Sequence, residues 1–311
     1  PLRLPTPYSM VLSLMKMPVR IKSVVPAVLL LCSCLSGPRN SELAQEYYNL
    51  GNAHLELKNF ERAAGFYRKA ISLDPGLLRA YYNLGLALTE AGKAAEAVAT
   101  LEKLLKEDPE NRDMLEALAY AYYAQGETEK AIELYGRILA DSPENTSARY
   151  NLAILLWKKE SGEEALGHLQ SLLEQNPGDL QALLQKGKLL LELGRTQEGV
   201  DALEQYVQER PEEAKAYLLL GDGYRRLEKY DRALDAYSSA LTHSEKLAEA
   251  WFYSALIYLA KIEDPDRGLT FLEQALEYGF HNEDEIAALY AFDSRGQEVA
   301  SRVRGQAVPL D

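Results

Sequence analysis

Apolar side chains recur three and four residues apart along nearly the whole chain after residue 43, the spacing of one face of an α-helix. Tyr217, Leu220 and Tyr224 form one such stripe, and Ala233, Tyr237 and Ala240 the next, with a polar turn between them. This stripe–turn–stripe unit returns every 34 residues. Seven copies align, beginning near Ala44, Leu78, Arg112, Thr146, Leu180, Ala214 and Ala248. Each predicts two antiparallel helices. A proline closes the first five copies, at Pro75, Pro109, Pro143, Pro177 and Pro211. Glycine after the first helix, as at Gly92, Gly126, Gly162 and Gly194, suits a helix C-terminus.

The pattern Tyr47-x-x-Leu50-Gly51…Ala63-x-x-x-Tyr67…Pro75 resembles the tetratricopeptide repeat. The resemblance implies an all-α, right-handed superhelical solenoid of about seven helix–turn–helix repeats over residues 44–281. A small residue at Gly51, Gly85, Ala119, Ala153, Gly187 and Gly221 is expected to let the two helices of a repeat approach closely. One repeat cannot bury its own apolar face, so stability is expected from stacking. Repeat seven departs from the pattern. Its turn, Glu263 to Asp266, is one residue longer, so Gly268, Leu272 and Ala275 fit only after a one-residue shift. Asn282 followed by Glu285 reads as a helix start, predicting a C-terminal capping helix in the span 282–311, about Glu283 to Ala291.

The first 34 residues differ from the rest. No acidic residue precedes Glu42, whereas Arg3, Lys16, Arg20 and Lys22 are basic. A short apolar run from Ser23 to Leu31 follows Lys22 and ends at Cys32-Ser33-Cys34. This order of basic, apolar and small residues is that of a secretory signal. The run is too short to span a bilayer, which takes about 20 residues. Leu31 to Cys34 resembles a bacterial lipobox, with Cys34 as the expected lipidated residue and Cys32 as the second choice. Met17 is a plausible true start, and residues 35–43 read as a tether. These are the chain's two cysteines, so a mature protein beginning at Cys34 has no disulfide. Beyond the signal segment 30 basic residues face 47 acidic ones, a net charge of −17. That disfavours nucleic acid as a partner, because phosphate neutralisation dominates such binding.

In the resembled family the first helix of each repeat faces the ligand. Carried onto this chain, those positions hold an aromatic stretch of Tyr48, Tyr82, Tyr120, Tyr123, Tyr150 and Trp157, with Asn52 beside it. Asp113 and Glu116 occupy two of the same positions in repeat three, and Phe252, Leu256 and Leu259 three of them in repeat seven. Further along, Lys188, Lys215, Arg225 and Arg226 form a basic patch, although Asp222 stands at helical spacing from Arg225. Aromatic residues and arginine are enriched at binding hot spots. Asn52 and Asn83 match two positions of the clamp by which some repeats of this kind grip carboxylate tails, but Tyr48, Asp113 and Ala117 stand where it needs cations. Asn49, Asn83 and Asn151 follow the ordinary consensus of the repeat.

No phosphate loop, dinucleotide fingerprint or paired metal-ligand spacing occurs, and the four histidines are far apart. Neither an enzyme nor a cofactor or metal site is expected. The expected function is that of a lipid-anchored adaptor in the bacterial cell envelope, facing the periplasm and holding a protein or peptide in its groove. A second reading is an accessory lipoprotein of a periplasmic transport system that docks a solute-binding protein or carries a small apolar ligand. In that case Tyr120, Tyr150 and Trp157 should enclose a pore. A third is self-assembly into a homo-oligomer through the capping helix.

Overall fold

The computed structural model describes residues 2–5, 38–106 and 108–289. Its elements are helices: α1 (Pro38–Glu56), α2 (Phe60–Leu73), α3 (Leu78–Glu90), α4 (Ala94–Leu105), α5 (Arg112–Gln125), α6 (Thr128–Asp141), α7 (Thr146–Lys158), α8 (Gly162–Gln175), α9 (Leu180–Glu192), α10 (Thr196–Glu209), α11 (Ala214–Arg226), α12 (Tyr230–His243), α13 (Ala248–Ile257), α14 (Pro265–Glu277) and α15 (Glu283–Leu289). The chain divides into two compact units, Pro1–His168 and Leu169–Asp311, with the boundary inside α8. Within each unit the helices pack consecutively: α1 to α7 in unit one, α9 to α14 in unit two. First helices also pack on the first helices of neighbouring repeats, α1 on α3 and α3 on α5, then α9 on α11 and α11 on α13.

One contact recurs within each unit. The second helix inserts a large side chain, Tyr67, Leu101 or Tyr135 in unit one and Leu203, Tyr237 or Leu272 in unit two, and all six are fully buried. The first helix meets it with a residue that has little or no side chain. A methyl group on Gly85 would lie 2.7 Å from Leu101, and one on Gly187 would lie 2.8 Å from Leu203. Real carbon atoms do not approach so closely, so the small residue is a condition of the packing. Ala119 and Ala153 are fully buried at the equivalent sites.

The turn inside each repeat needs one left-handed residue. It is Lys58, Gly92, Gly126, Glu160, Gly194 and Glu228 in the first six. Gly162 was expected to serve in repeat four. Instead Glu160 takes φ 62°, and Gly162 opens α8. In repeat seven the left-handed residue is Glu263, one place late. A π-helical turn over Tyr258–Ile262 absorbs the extra residue, so Leu272 and Ala275 still reach the core. Asn111, Asn145 and Asp179, spaced at the repeat period, cap α5, α7 and α9 by accepting from Met114, Ala148 and Ala182 at 3.1, 2.8 and 3.0 Å.

The two ends differ from expectation in detail. α1 starts at Pro38, inside the span read as a tether, because proline suits a first helical position. At the other end Asn282 and Glu285 form the expected reciprocal cap. Ile286 of α15 joins the cluster of Phe252, Ala255, Leu259, Leu272 and Phe280. Phe252 stacks on Phe280 with centroids 3.9 Å apart, so this residue and Leu259, expected to face a ligand, belong to the core. The signal segment beyond Pro5, both cysteines and the tail after Leu289 lie outside the described residues.

Candidate peptide-binding face

The first helices of unit one bring α1, α3, α5 and α7 to a common inner face. At its start the expected contact residues are consumed by packing. Tyr48 is buried, tilts against Tyr67 at 5.8 Å, and lies under the Arg79 guanidinium at 4.9 Å. Asn83 donates to the Tyr48 hydroxyl at 3.2 Å and to Asn52 Oδ1 at 2.9 Å. Tyr67 Oη donates to the same Asn52 oxygen at 2.8 Å. Tyr48, Asn52 and Asn83 therefore knit repeat one to repeat two. Tyr82 is buried as well, and burial pushes its phenol pKa well up. The aromatic stretch open to a partner narrows to half-buried Tyr120, Tyr123 and Trp157.

Acidic groups stand among these aromatics. Tyr120 Oη donates to Glu90 at 2.5 Å, and Lys158 Nζ donates to Tyr123 Oη. Glu116 accepts from the Ser147 hydroxyl. Burial, helped by the charge of Asp113, raises the Glu116 pKa above the usual carboxylate range, although Ser147 and Asn145 pull it back. Burial raises Asp113 too, against the pull of Arg112. Such carboxyls gain when a cation arrives to hold them ionised.

The residues Leu2 to Pro5 lie on this face. The main-chain N–H of Arg3 donates to Asn151 Oδ1 at 2.6 Å, and Asn151 Nδ2 donates back to the Arg3 carbonyl at 2.9 Å. The same Nδ2 is 3.1 Å from the Tyr135 hydroxyl. The Arg3 guanidinium lies 4.1 Å above the Tyr150 ring, a cation–π contact. Tyr150 is fully buried. Asn151 had been read as consensus alone. The clue to its role is its recurrence: Asn83 occupies the same place two helix pairs earlier and is likewise buried among polar partners.

The basic patch falls in unit two, and two of its four cations share one carboxylate. Asp222 pairs with Arg225 and, at 2.8 Å, with Arg226 Nε. Arg226 also donates to the Leu191 carbonyl at 2.8 Å, and Arg225 lies 5.0 Å over the Tyr253 ring. Lys188 is half-buried on α9 and Lys215 exposed on α11. A cleft of about 400 Å³ opens elsewhere in this unit, lined by Leu234, Leu241, Trp251, Tyr258 and Phe271 among others. None of the residues expected to enclose an apolar pore lines it.

Comparison with known proteins agrees with the repeat reading. Models described as tetratricopeptide repeat match residues 82–145, 184–248 and 218–280, others match 122–186 and 44–77. No curated protein matches. Among solved structures, a tetratricopeptide repeat protein from Parabacteroides merdae is 22% identical, with a TM-score of 0.56 over 85% of this chain and 99% of that one. PilF from Pseudomonas aeruginosa is 20% identical, with a TM-score of 0.58 over 70% of this chain and 98% of that one. YrrB, described as a repeat protein with an unusual peptide-binding site, is 24% identical, with a TM-score of 0.51 over 59% of this chain and 95% of that one. The helix pairs, their small-against-large contacts and these matches lead to one conclusion: the chain belongs to the tetratricopeptide repeat family, a family of protein-interaction scaffolds.

Proposed function

We propose that the protein is a lipid-anchored adaptor of the bacterial cell envelope. It faces the periplasm and holds a partner protein or peptide on the inner face of its first helices, supporting assembly or localisation of an envelope complex. One observation carries the binding half of this reading. The inner face of unit one combines half-buried Tyr120, Tyr123 and Trp157 with carboxyl groups whose burial the chain itself offsets only in part. The anchoring half rests on sequence: the basic, apolar and small-residue order before Cys34 supports a lipidated N-terminus.

Two experiments test the halves separately. In membrane fractionation, Cys34→Ser should move the protein from the membrane to the soluble fraction; unchanged partitioning removes the anchor. In cross-linked co-purification from the native envelope, wild type should capture a protein that a folded Tyr123→Ala/Trp157→Ala variant loses. A partner retained by both would move the interface off this face.

A further inference from the structure

A leucine that later repeats hide stands open in repeat one. At the same place in the next three repeats, Leu84, Leu118 and Leu152 are 5, 5 and 6% exposed, where the second helix of the preceding repeat packs on α3, α5 and α7. No described helix precedes α1, and Leu50 is 45% exposed. Leu43 and Leu57 stand seven places to either side of it on the same helical face, 40 and 69% exposed. With half-buried Tyr47 they form an apolar stripe about 20 Å long. From α2, Phe66 stacks against Tyr47 at 6.3 Å, and the Lys69 ammonium lies 5.3 and 5.5 Å over the two rings. Unit two closes its own last repeat with Phe280 and Ile286. Among the described residues nothing does the same for repeat one.

We infer, on the reading that Cys34 is lipidated, that this open end of unit one rests on the phospholipid surface, with the stripe of Leu43, Tyr47, Leu50 and Leu57 set into the headgroup region. Cleavage before Cys34 leaves only Leu35, Ser36 and Gly37 between the acylated residue and Pro38, where α1 begins. Those residues reach at most about 14 Å, so the acyl chains bring α1 to the membrane. A helix with one apolar stripe lies in the interface with that stripe buried. Tyrosine favours the headgroup level, and Lys69 can lay its stem on the rings while its charge stays in water. Glu42 and Glu46 are exposed on α1 and repel anionic lipid, so apolar contact and not charge carries the binding. A second copy of the chain is the poorer occupant. Three leucines and parts of two aromatics fall short of the roughly 800 Å² per partner of a standard protein interface. A surface to which the chain is already tethered needs far less, because the tether supplies the effective concentration.

The test uses the protein purified from its envelope and reconstituted into vesicles of phosphatidylethanolamine and phosphatidylglycerol. Flotation reads the anchor. Quenching by a nitroxide on the shallow acyl chain of the lipid reads the stripe. With Cys34 acylated, an introduced cysteine is the one free thiol and carries the fluorophore, either at Leu57→Cys or at Glu110→Cys, an exposed position between α4 and α5. The label at 57 should be quenched several-fold more strongly than the label at 110. Adding Leu43→Gln/Leu50→Gln should leave flotation and the melting temperature unchanged, because both side chains are exposed, and should abolish that difference. A chain that floats with equal quenching at 57 and 110 overturns the inference and leaves the anchor standing. So does a label at 57 shielded from an aqueous quencher without quenching from lipid, which gives the face to a second copy. Quenching at 57 that survives the double glutamine variant removes the stripe as its cause. A chain that does not float removes the anchor, and this surface with it.

Discussion

On α11 of unit two an acid pairs with two arginines of its own helix, whereas on α5 of unit one Glu116 accepts from a neutral serine hydroxyl and the helix's arginine pairs with α6. On α11, Asp222 takes Arg225 and Arg226, and Arg226 also reaches a backbone carbonyl. At the end of the same unit, Phe280 and α15 cover Phe252. On α5, burial lifts the pKa of both Asp113 and Glu116. The two faces are built from one repeat and one backbone. What separates them is which partner the cation takes: on α11 two arginines fold back on the acid of their own helix, whereas on α5 Arg112 stands four places from Glu116 and pairs with Asp141 of α6 instead.

The shared backbone gives the largest expected effect. Gly85→Leu in unit one and Gly187→Leu in unit two should each destabilise the protein by about 1–3 kcal/mol, because each forces a side chain into one already in place. Thermal melts read this as a clear fall in Tm for both. A fall in one unit alone would mean that the units do not share the contact. Glu228→Gly in unit two and Glu160→Gly in unit one go the other way. Both residues hold a left-handed φ, which costs an L-residue about 1–2 kcal/mol that glycine avoids. Part of that gain is lost to glycine's freedom in the unfolded chain. A rise in denaturation midpoint of either variant supports the shared turn; a fall in both breaks it.

Asp222→Asn bears directly on the contrast. It strands two arginines, one of them only partly exposed, and should cost up to about 1 kcal/mol. It should also leave unit two with two cations ready for an acidic partner. If an acidic peptide still fails to bind the variant, the neutralisation by Asp222 is not what keeps that face closed.

Much of this was legible in the chain. The 34-residue period, the small-against-large contact at Gly85 and Leu101, and the one-residue slip before Gly268 are all local patterns, and local patterns survive into structure. The π-turn that absorbs the slip was not legible, since nothing in Tyr258 to Ile262 prefers that geometry. Nor was the site itself. A tyrosine at a ligand-facing position, such as Tyr48 or Tyr82, looks the same whether it meets a partner or the next repeat. Asn151 was hidden for the opposite reason: a residue that fits the consensus invites no further question, and its hydrogen-bond partner Arg3 lies 148 residues away in the chain.

The gentlest probe of the contrast is pH. Glu116 faces Asp113 on its own helix, Ser147 and Asn145 at the start of α7, Tyr82 on α3 and Tyr135 on α6. Its folded pKa is raised, mainly by burial, so the folded state holds the proton to higher pH than the unfolded state does. Stability must then fall as pH rises from the unfolded carboxylate pKa through the folded one, and acidification should restore it. Asp113 adds a slope of the same sign. Glu116→Gln keeps an acceptor for Ser147 and removes the titration, so denaturant unfolding across the weakly acidic range should show a flatter profile than wild type. An unchanged stability profile would mean that Glu116 is not desolvated in the folded chain.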